Sequence, residues 1–224
     1  MEALPMSRPK RLLRKRFEIF CEGDTEYHYI DGMRTRQGVE IALCPINMKG
    51  GGYAAFLNEL KTKGQVNCVA RFMIVDGDRI TSNVGEAHAF EELVDYCRQQ
   101  NKKRGIPCFI ILNNPNFEYV ACLHAKDFTG QSSEKFICDT MGFERVADFK
   151  KKEDVYGFLN ANEYCRAHMI ARLKSGQKPL YHRYTVKRAT VSIEIRETIF
   201  SKSDLPLRGS NFDELFDVID WPSA

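Results

Sequence analysis

FEIFCEGDTEYHY, residues 17–29, joins two kinds of sequence at a single point. Phe17 to Cys21 is a short apolar run of strand-forming character, and Glu22, Gly23, Asp24 and Glu26 follow at once. A plain turn needs only Asn, Ser or Gly. Carboxylates crowded there need a further reason, and it lies at the ends of the other apolar runs.

Outward from this junction the pattern repeats. VEIALCPI (39–46) precedes NMKGGGY and a helical AAFLNELKTK; RFMIV (71–75) precedes a polar loop and the helix pattern of 86–103; IPCFIIL (106–112) precedes NNPNFEYVACLHA. Continuous short apolar runs, rather than alternating ones, predict strands covered on both faces. Strands alternating with helices predict an α/β domain of three layers, with a mainly parallel four-stranded sheet flanked by helices. The first helix is predicted to start near Thr25 with Asp24 or Thr25 as its N-cap. After about residue 127 the character changes. Residues 153–176 read as one long helix, and 211–219 as a short amphipathic one. Residues 189–200 are ambiguous, β-branched like a strand but placed in order like a helix. The division expected is a basic N-terminal arm over 1–16, a catalytic domain over 17–127 and a mainly helical extension over 128–224 packed on it.

In an open parallel sheet, ligands bind outside the carboxyl ends of the strands. Five carboxylates fall there: Glu22 and Glu26 after the first strand, Asp76 and Asp78 after the third, and Glu118 on the first helical turn after the fourth. So many like charges at one edge raise the energy unless a cation neutralises them. Oxygen donors without a His or Cys pair suit Mg²⁺ or Mn²⁺. Each motif alone reads more readily as a cap or tight turn, so the weight rests on their joint placement.

Composition narrows the classes. The 224 residues are 43% hydrophobic and 28% charged, which fits a folded globular chain. A net charge of +3 does not by itself indicate nucleic acid, but SRPKRLLRKR (7–16) carries six basic residues and no acid. Arg14, Lys15 and Arg16 are therefore candidates for phosphate contacts, with a solvated arm as the alternative. Eight cysteines without a C-x-x-C pair argue against a zinc site or a disulfide framework and for a reducing, cytoplasmic setting. Apolar runs are too short for a membrane span.

In their order, CEGDTEYHYI, MKGGG, VDGDR and NNPNFEYVACLH make the chain resemble the RloB-like family of TOPRIM-domain proteins, with a likeness to OLD-type nucleases. The resemblance covers roughly residues 16–126 closely and the rest loosely. It implies a TOPRIM-like domain and a Mg²⁺- or Mn²⁺-dependent nuclease of prokaryotic antiviral defence. It also implies Glu22 as the catalytic general base or acid, Asp76 and Asp78 as metal ligands, and Glu26 and Glu118 as further acidic positions. One ion would activate water and a second would stabilise the leaving oxygen of an in-line displacement. Asn113 stands where the family has a serine.

Around that centre, Lys49 with the following glycines could cradle a phosphate or form a plain turn. Arg79 could clamp the scissile phosphate or pair with the acids, and His124 could face the cleft or pack inside a helix. Tyr27, Tyr29 and Phe117 could stack bases or belong to the core. The partner expected is nucleic acid, RNA before DNA, with no membrane. A defence-system partner protein and self-association stay open. The competing class is a non-catalytic TOPRIM module that binds nucleic acid or assembles a complex.

Overall fold

The computed structural model describes residues 15–36, 41–64, 68–103, 105–176, 181–188, 191–198 and 207–219. Arg14 lies outside them, and so does the side chain of Lys15. In chain order the elements begin β1 (Lys15–Cys21), α1 (Asp24–Thr35), β2 (Ile41–Asn47), α2 (Gly52–Thr62), β3 (Ala70–Asp76) and α3 (Asp78–Ser82). They continue with α4 (Val84–Lys102), β4 (Cys108–Asn114), α5 (Phe117–Cys122), α6 (Ser133–Asp139), α7 (Val146–Lys150) and α8 (Val155–Phe158). The last are α9 (Arg166–Ser175), β5 (Tyr181–Arg188), β6 (Val191–Thr198), β7 (Gly209–Ser210) and α10 (Asp213–Ile219).

The α/β expectation holds. β1 pairs in parallel with β2 and β3, and β3 pairs in parallel with β4. The sheet has five strands rather than four, in the order β2-β1-β3-β4-β7, because β7 returns antiparallel against the end of β4. Side-chain alternation splits the core into two layers. Phe17, Ile19, Phe72, Ile74, Phe109 and Ile111 face one cluster, which holds Tyr29 and Ile30 of α1 and much of the chain after Phe117. Phe20, Met73, Val75, Ile110 and Leu112 face the other, against Tyr53, Phe56, Phe90 and Leu93 of α2 and α4. Removing a phenylalanine of this kind from water contributes about 1.5–3 kcal/mol before entropy is counted. Pro45 sits in β2, an edge strand, where a missing N–H does least harm.

Besides the strand count, two expectations need correction. The N-cap position of α1 is Gly23, not Asp24 or Thr25, and the helix starts one residue early. Residues 153–176 are not one helix: α8 and α9 are separated where Asn162 takes φ 58°, a left-handed conformation that asparagine tolerates. The Asn160 side chain accepts a bond from the Arg166 N–H and starts the second helix instead. The ambiguous run 189–200 resolves as a strand, with Val191–Thr198 forming β6 of an antiparallel hairpin with β5.

β7, finally, makes the C-terminal region part of the sheet. Asn211 accepts from the Leu112 N–H and donates to the Ile110 carbonyl, satisfying the edge of β4. Phe136, Phe149, Met169, Phe212 and Ile219 share one core with Phe17 and Phe72, so residues after 128 build the same body.

Candidate active site

Glu22 directly follows β1. Its backbone N–H bonds the Ile74 carbonyl and its carbonyl accepts from Gly50, so both neighbouring junctions hold it. Its carboxylate accepts from the Asp76 N–H at 2.9 Å and meets Arg79 Nε at 2.7 Å. Burial raises its pKa; the Asp76 hydrogen bond and Arg79 oppose the rise, while Asp78 and Glu86 add to it.

Glu26 lies one turn into α1, buried, accepting from the Gly23 N–H at 3.2 Å. Burial first, then repulsion from Glu118 and Glu22, pushes it from 4.5 up to about 7 against a backbone hydrogen bond and the charge of Lys150. Asp76 ends β3. Its pKa is pushed well up by burial and then by Glu26, Glu22, Glu118 and Asp78. These acids therefore sit close enough to suppress one another's charge. Asp78 opens α3 and is exposed. Gly77 between them has its N–H on the Asn113 and Pro115 carbonyls, and a Cβ there would lie 2.9 Å from Asn114 Oδ1. Only glycine lets the D-x-D turn pass so close to the end of β4.

Asn113 Nδ2 reaches Asp76 Oδ1 at 3.5 Å, while its Oδ1 accepts from the Ser210 hydroxyl of β7. The next helix is capped by Asn116, whose side chain accepts from the Tyr119 N–H. That places Glu118, 3% exposed, over the strand ends. One carboxylate oxygen, Oε1, lies 3.2 Å from Lys150 Nζ. The other, Oε2, is buried and has no hydrogen-bond partner among the described residues. Burial works against the Lys150 charge but is outweighed by Glu118, Asp76 and Glu26, and its pKa rises.

The turn between β2 and α2 forms the rim. Lys49, Gly50 and Gly52 take φ of 53°, 70° and 70°. Lys49 is exposed, and Arg79 Nη2 donates to the Gly50 carbonyl at 3.0 Å. Arg79 thus ties this turn to Glu22. Glu86 of α4 accepts from the Tyr53 N–H, and Tyr53 donates its hydroxyl to the Asp76 carbonyl.

Several expected site residues stand elsewhere. His124 does not face the cleft. It is fully buried, accepts at Nε2 from the Tyr29 hydroxyl at 3.0 Å, and turns Nδ1 to the Val120 and Ala121 carbonyls. Burial brings its pKa down to about 4, so the ring is neutral. Tyr29 and Phe117 are core residues, packed edge to face on each other. Arg16 lies near the opposite end of β1 from Glu22, bonded to Cys44 Sγ and paired with Glu18, so it belongs to the amino edge of the sheet. Two participants were missed. Lys150 sits in the lysine-rich 150–152 run, which reads as a solvated face, and Glu86 opens what looks like an ordinary amphipathic helix.

The donor chemistry fits a hard divalent cation: carboxylates held against their own repulsion, and one buried oxygen without a partner. The arrangement is not a closed ligand set. Among the described residues, no three of His, Cys, Asp or Glu are grouped so as to hold a metal. Arg79 and Lys150 stand against Glu22 and Glu118 instead. Also among the described residues, no helix is long and apolar enough to cross a membrane. Set against models of known families, curated proteins and solved structures, the chain finds no significant match, so its functional reading rests on these residues and on the motif resemblance.

Proposed function

We propose that the protein is a phosphodiester hydrolase that cuts nucleic acid, RNA in preference to DNA, with Mg²⁺ or Mn²⁺ at the carboxyl edge of its sheet. The observation that carries this is the charge crowding of Glu22, Glu26, Asp76 and Glu118. Three strand-to-helix junctions bring four acids together, at the cost of raised pKa values in three of them. A structural role does not call for this. The finer fold identity belongs here too: we take the domain as TOPRIM-like and its setting as prokaryotic antiviral defence, on the motif resemblance.

Glu22, Asp76, Asp78 and Glu118 would hold the cation. When bound, it supplies positive charge that acidifies a water and stabilises a leaving oxygen. The chain's own residues do the rest. Glu26, titrating near neutrality, can accept or return a proton at its carboxylate within the working pH range. Arg79 at the rim has a guanidinium able to meet a phosphate in two-pronged fashion once it leaves Glu22 and Gly50. Lys49 adds charge at the exposed turn, and Lys150 balances Glu118 while no divalent ion is there.

A second reading, a non-catalytic nucleic-acid-binding subunit, is favoured by one observation: both ion pairs already neutralise acids, and among the described residues no three-acid metal group is preformed. Incubating the protein with labelled single-stranded RNA, tRNA, single-stranded DNA and plasmid, with Mg²⁺ or Mn²⁺ and with EDTA, separates the two. Cation-dependent cleavage that disappears in Asp76→Asn supports the hydrolase. Binding without cleavage under every condition supports the other reading.

A further inference from the structure

Away from the acidic cluster, beside Arg36 at the carboxyl end of α1, lies a cavity of ≈ 740 Å³ bounded by α8, α9 and α10. Its size is that of a small-molecule site. None of the carboxylates at the strand ends lines it.

Its floor is a stripe on α9. Ala167, Ile170 and Ala171 fall at i, i+3 and i+4 and so share a face. Yet the two alanines are exposed and the isoleucine only half-buried. Helix faces of this composition normally pack against something. The walls are flat and cationic. Arg166, 7% exposed, lies over the Phe216 ring at 5.5 Å and reaches the Tyr156 hydroxyl at 3.3 Å. Arg36 covers the Tyr156 ring at 5.3 Å. Tyr156 is itself held edge to face against Tyr29, which fixes that wall to α1.

Charge selects the sign of the occupant. The lining has Arg36, Arg166 and Lys174 against one acid, Asp217. The outer two cations pair with exposed carboxylates, Arg36 with Asp154 and Lys174 with Asp217, each at 3.1 Å. Such exposed, solvent-screened pairs are weak, so an entering anion can displace them. Planar guanidiniums stacked on rings present both a flat surface and N–H edges suited to phosphate. We propose that this cavity is a second binding site, for a small anion with a flat ring, of the nucleoside monophosphate class.

The test is calorimetric titration with AMP, GMP, CMP and UMP, in EDTA so that no divalent ion bridges the nucleotide to the acidic cluster. Adenosine and inorganic phosphate run as separate arms. The expected result is one-to-one binding of at least one nucleotide. That binding persists in Asp76→Asn and weakens at least tenfold in Ala171→Trp, which fills the floor from an exposed position. Lys174→Gln, also exposed, weakens it several-fold, and thermal melts check that both variants are folded. The isolated nucleoside and phosphate each bind at least tenfold more weakly than the nucleotide. Absence of binding by all four nucleotides overturns the proposal. So does affinity unchanged in both folded variants, or phosphate alone binding as tightly as any nucleotide.

Discussion

Lys150 Nζ lies 3.2 Å from Glu118 Oε1, so a cation from α7 reaches the first turn of α5 across 32 positions of sequence. Glu118 is almost wholly buried and its second oxygen has no partner among the described residues, whereas about half of the Lys150 side chain is exposed. The lysine occupies the place of a neutralising charge without filling the acid's bonding capacity.

Replacing it should therefore have two effects. Lys150→Met lowers the melting temperature of the metal-free protein, by about 1–2 kcal/mol of stability once the exposure of the lysine is discounted. It also enlarges the rise in melting temperature that Mg²⁺ produces, because ion and lysine compete for Glu118. Differential scanning fluorimetry with a Mg²⁺ series reads both. An Mg²⁺ response identical to wild type would mean that the two do not compete.

The pH dependence of stability follows from Glu26. Its pKa is raised on folding, from 4.5 to about 7. The folded chain then holds a proton that the unfolded chain has released. The stabilisation is full below about 4.5 and is lost as pH rises through about 7. Without divalent ions, stability should fall by about 2–3 kcal/mol over that window relative to Glu26→Gln, with Asp76 acting in the same direction. Urea unfolding at pH 5, 6, 7 and 8 in EDTA checks this. A wild-type slope equal to that of the Gln variant would sink it.

His124 has become a structural residue, and its replacement should show that. His124→Leu leaves the Tyr29 hydroxyl without its acceptor and costs about 1–3 kcal/mol. The cation dependence of any cleavage and the affinity for substrate should stay as in wild type. A selective loss of turnover in a folded His124→Leu protein would return the histidine to the site.

Gly52 carries a fourth expectation of stability. It takes φ 70°, and an added Cβ would lie 2.8 Å from Glu86 Oε1. Gly52→Ala should cost about 1–2 kcal/mol from the left-handed backbone alone, and more if the Glu86 bond to the Tyr53 N–H breaks. Chemical denaturation of Gly52→Ala beside Gly64→Ala, where a Cβ meets nothing within 4 Å, isolates the effect.

The parallel core and its acids were legible in local sequence because both signals are local. Apolar runs of strand length ended in Glu22, in Asp76 with Asp78, and in Asn113–Asn114, and each junction could be read within about ten residues. Lys150, Glu86 and β7 were not legible, for a shared reason. Each acquires its role through a contact whose partner lies 32 or more positions away, as with Tyr53 to Glu86 or Asn113 to Ser210. His124 misled through its place after Glu118, because the carboxyl end of a short helix can turn inward as readily as toward a cleft. Arg16 misled because a basic run continued straight into β1, where pairing with Glu18 and Cys44 consumes it.

The closure of β4 by residues 209–211 has a consequence for synthesis. A chain emerging from the ribosome completes β1 to β4 by residue 114, but the strand that seals β4 comes nearly a hundred residues later. Until then the nascent sheet carries an open flank of unpaired amides and carbonyls beside the apolar side chains of Ile110 and Leu112. A ribosome stalled, or a protease acting, between residues 114 and 207 would release a sticky, self-pairing fragment. Completion of the domain is thus a late event that waits for Asn211 and Phe212 to leave the exit tunnel.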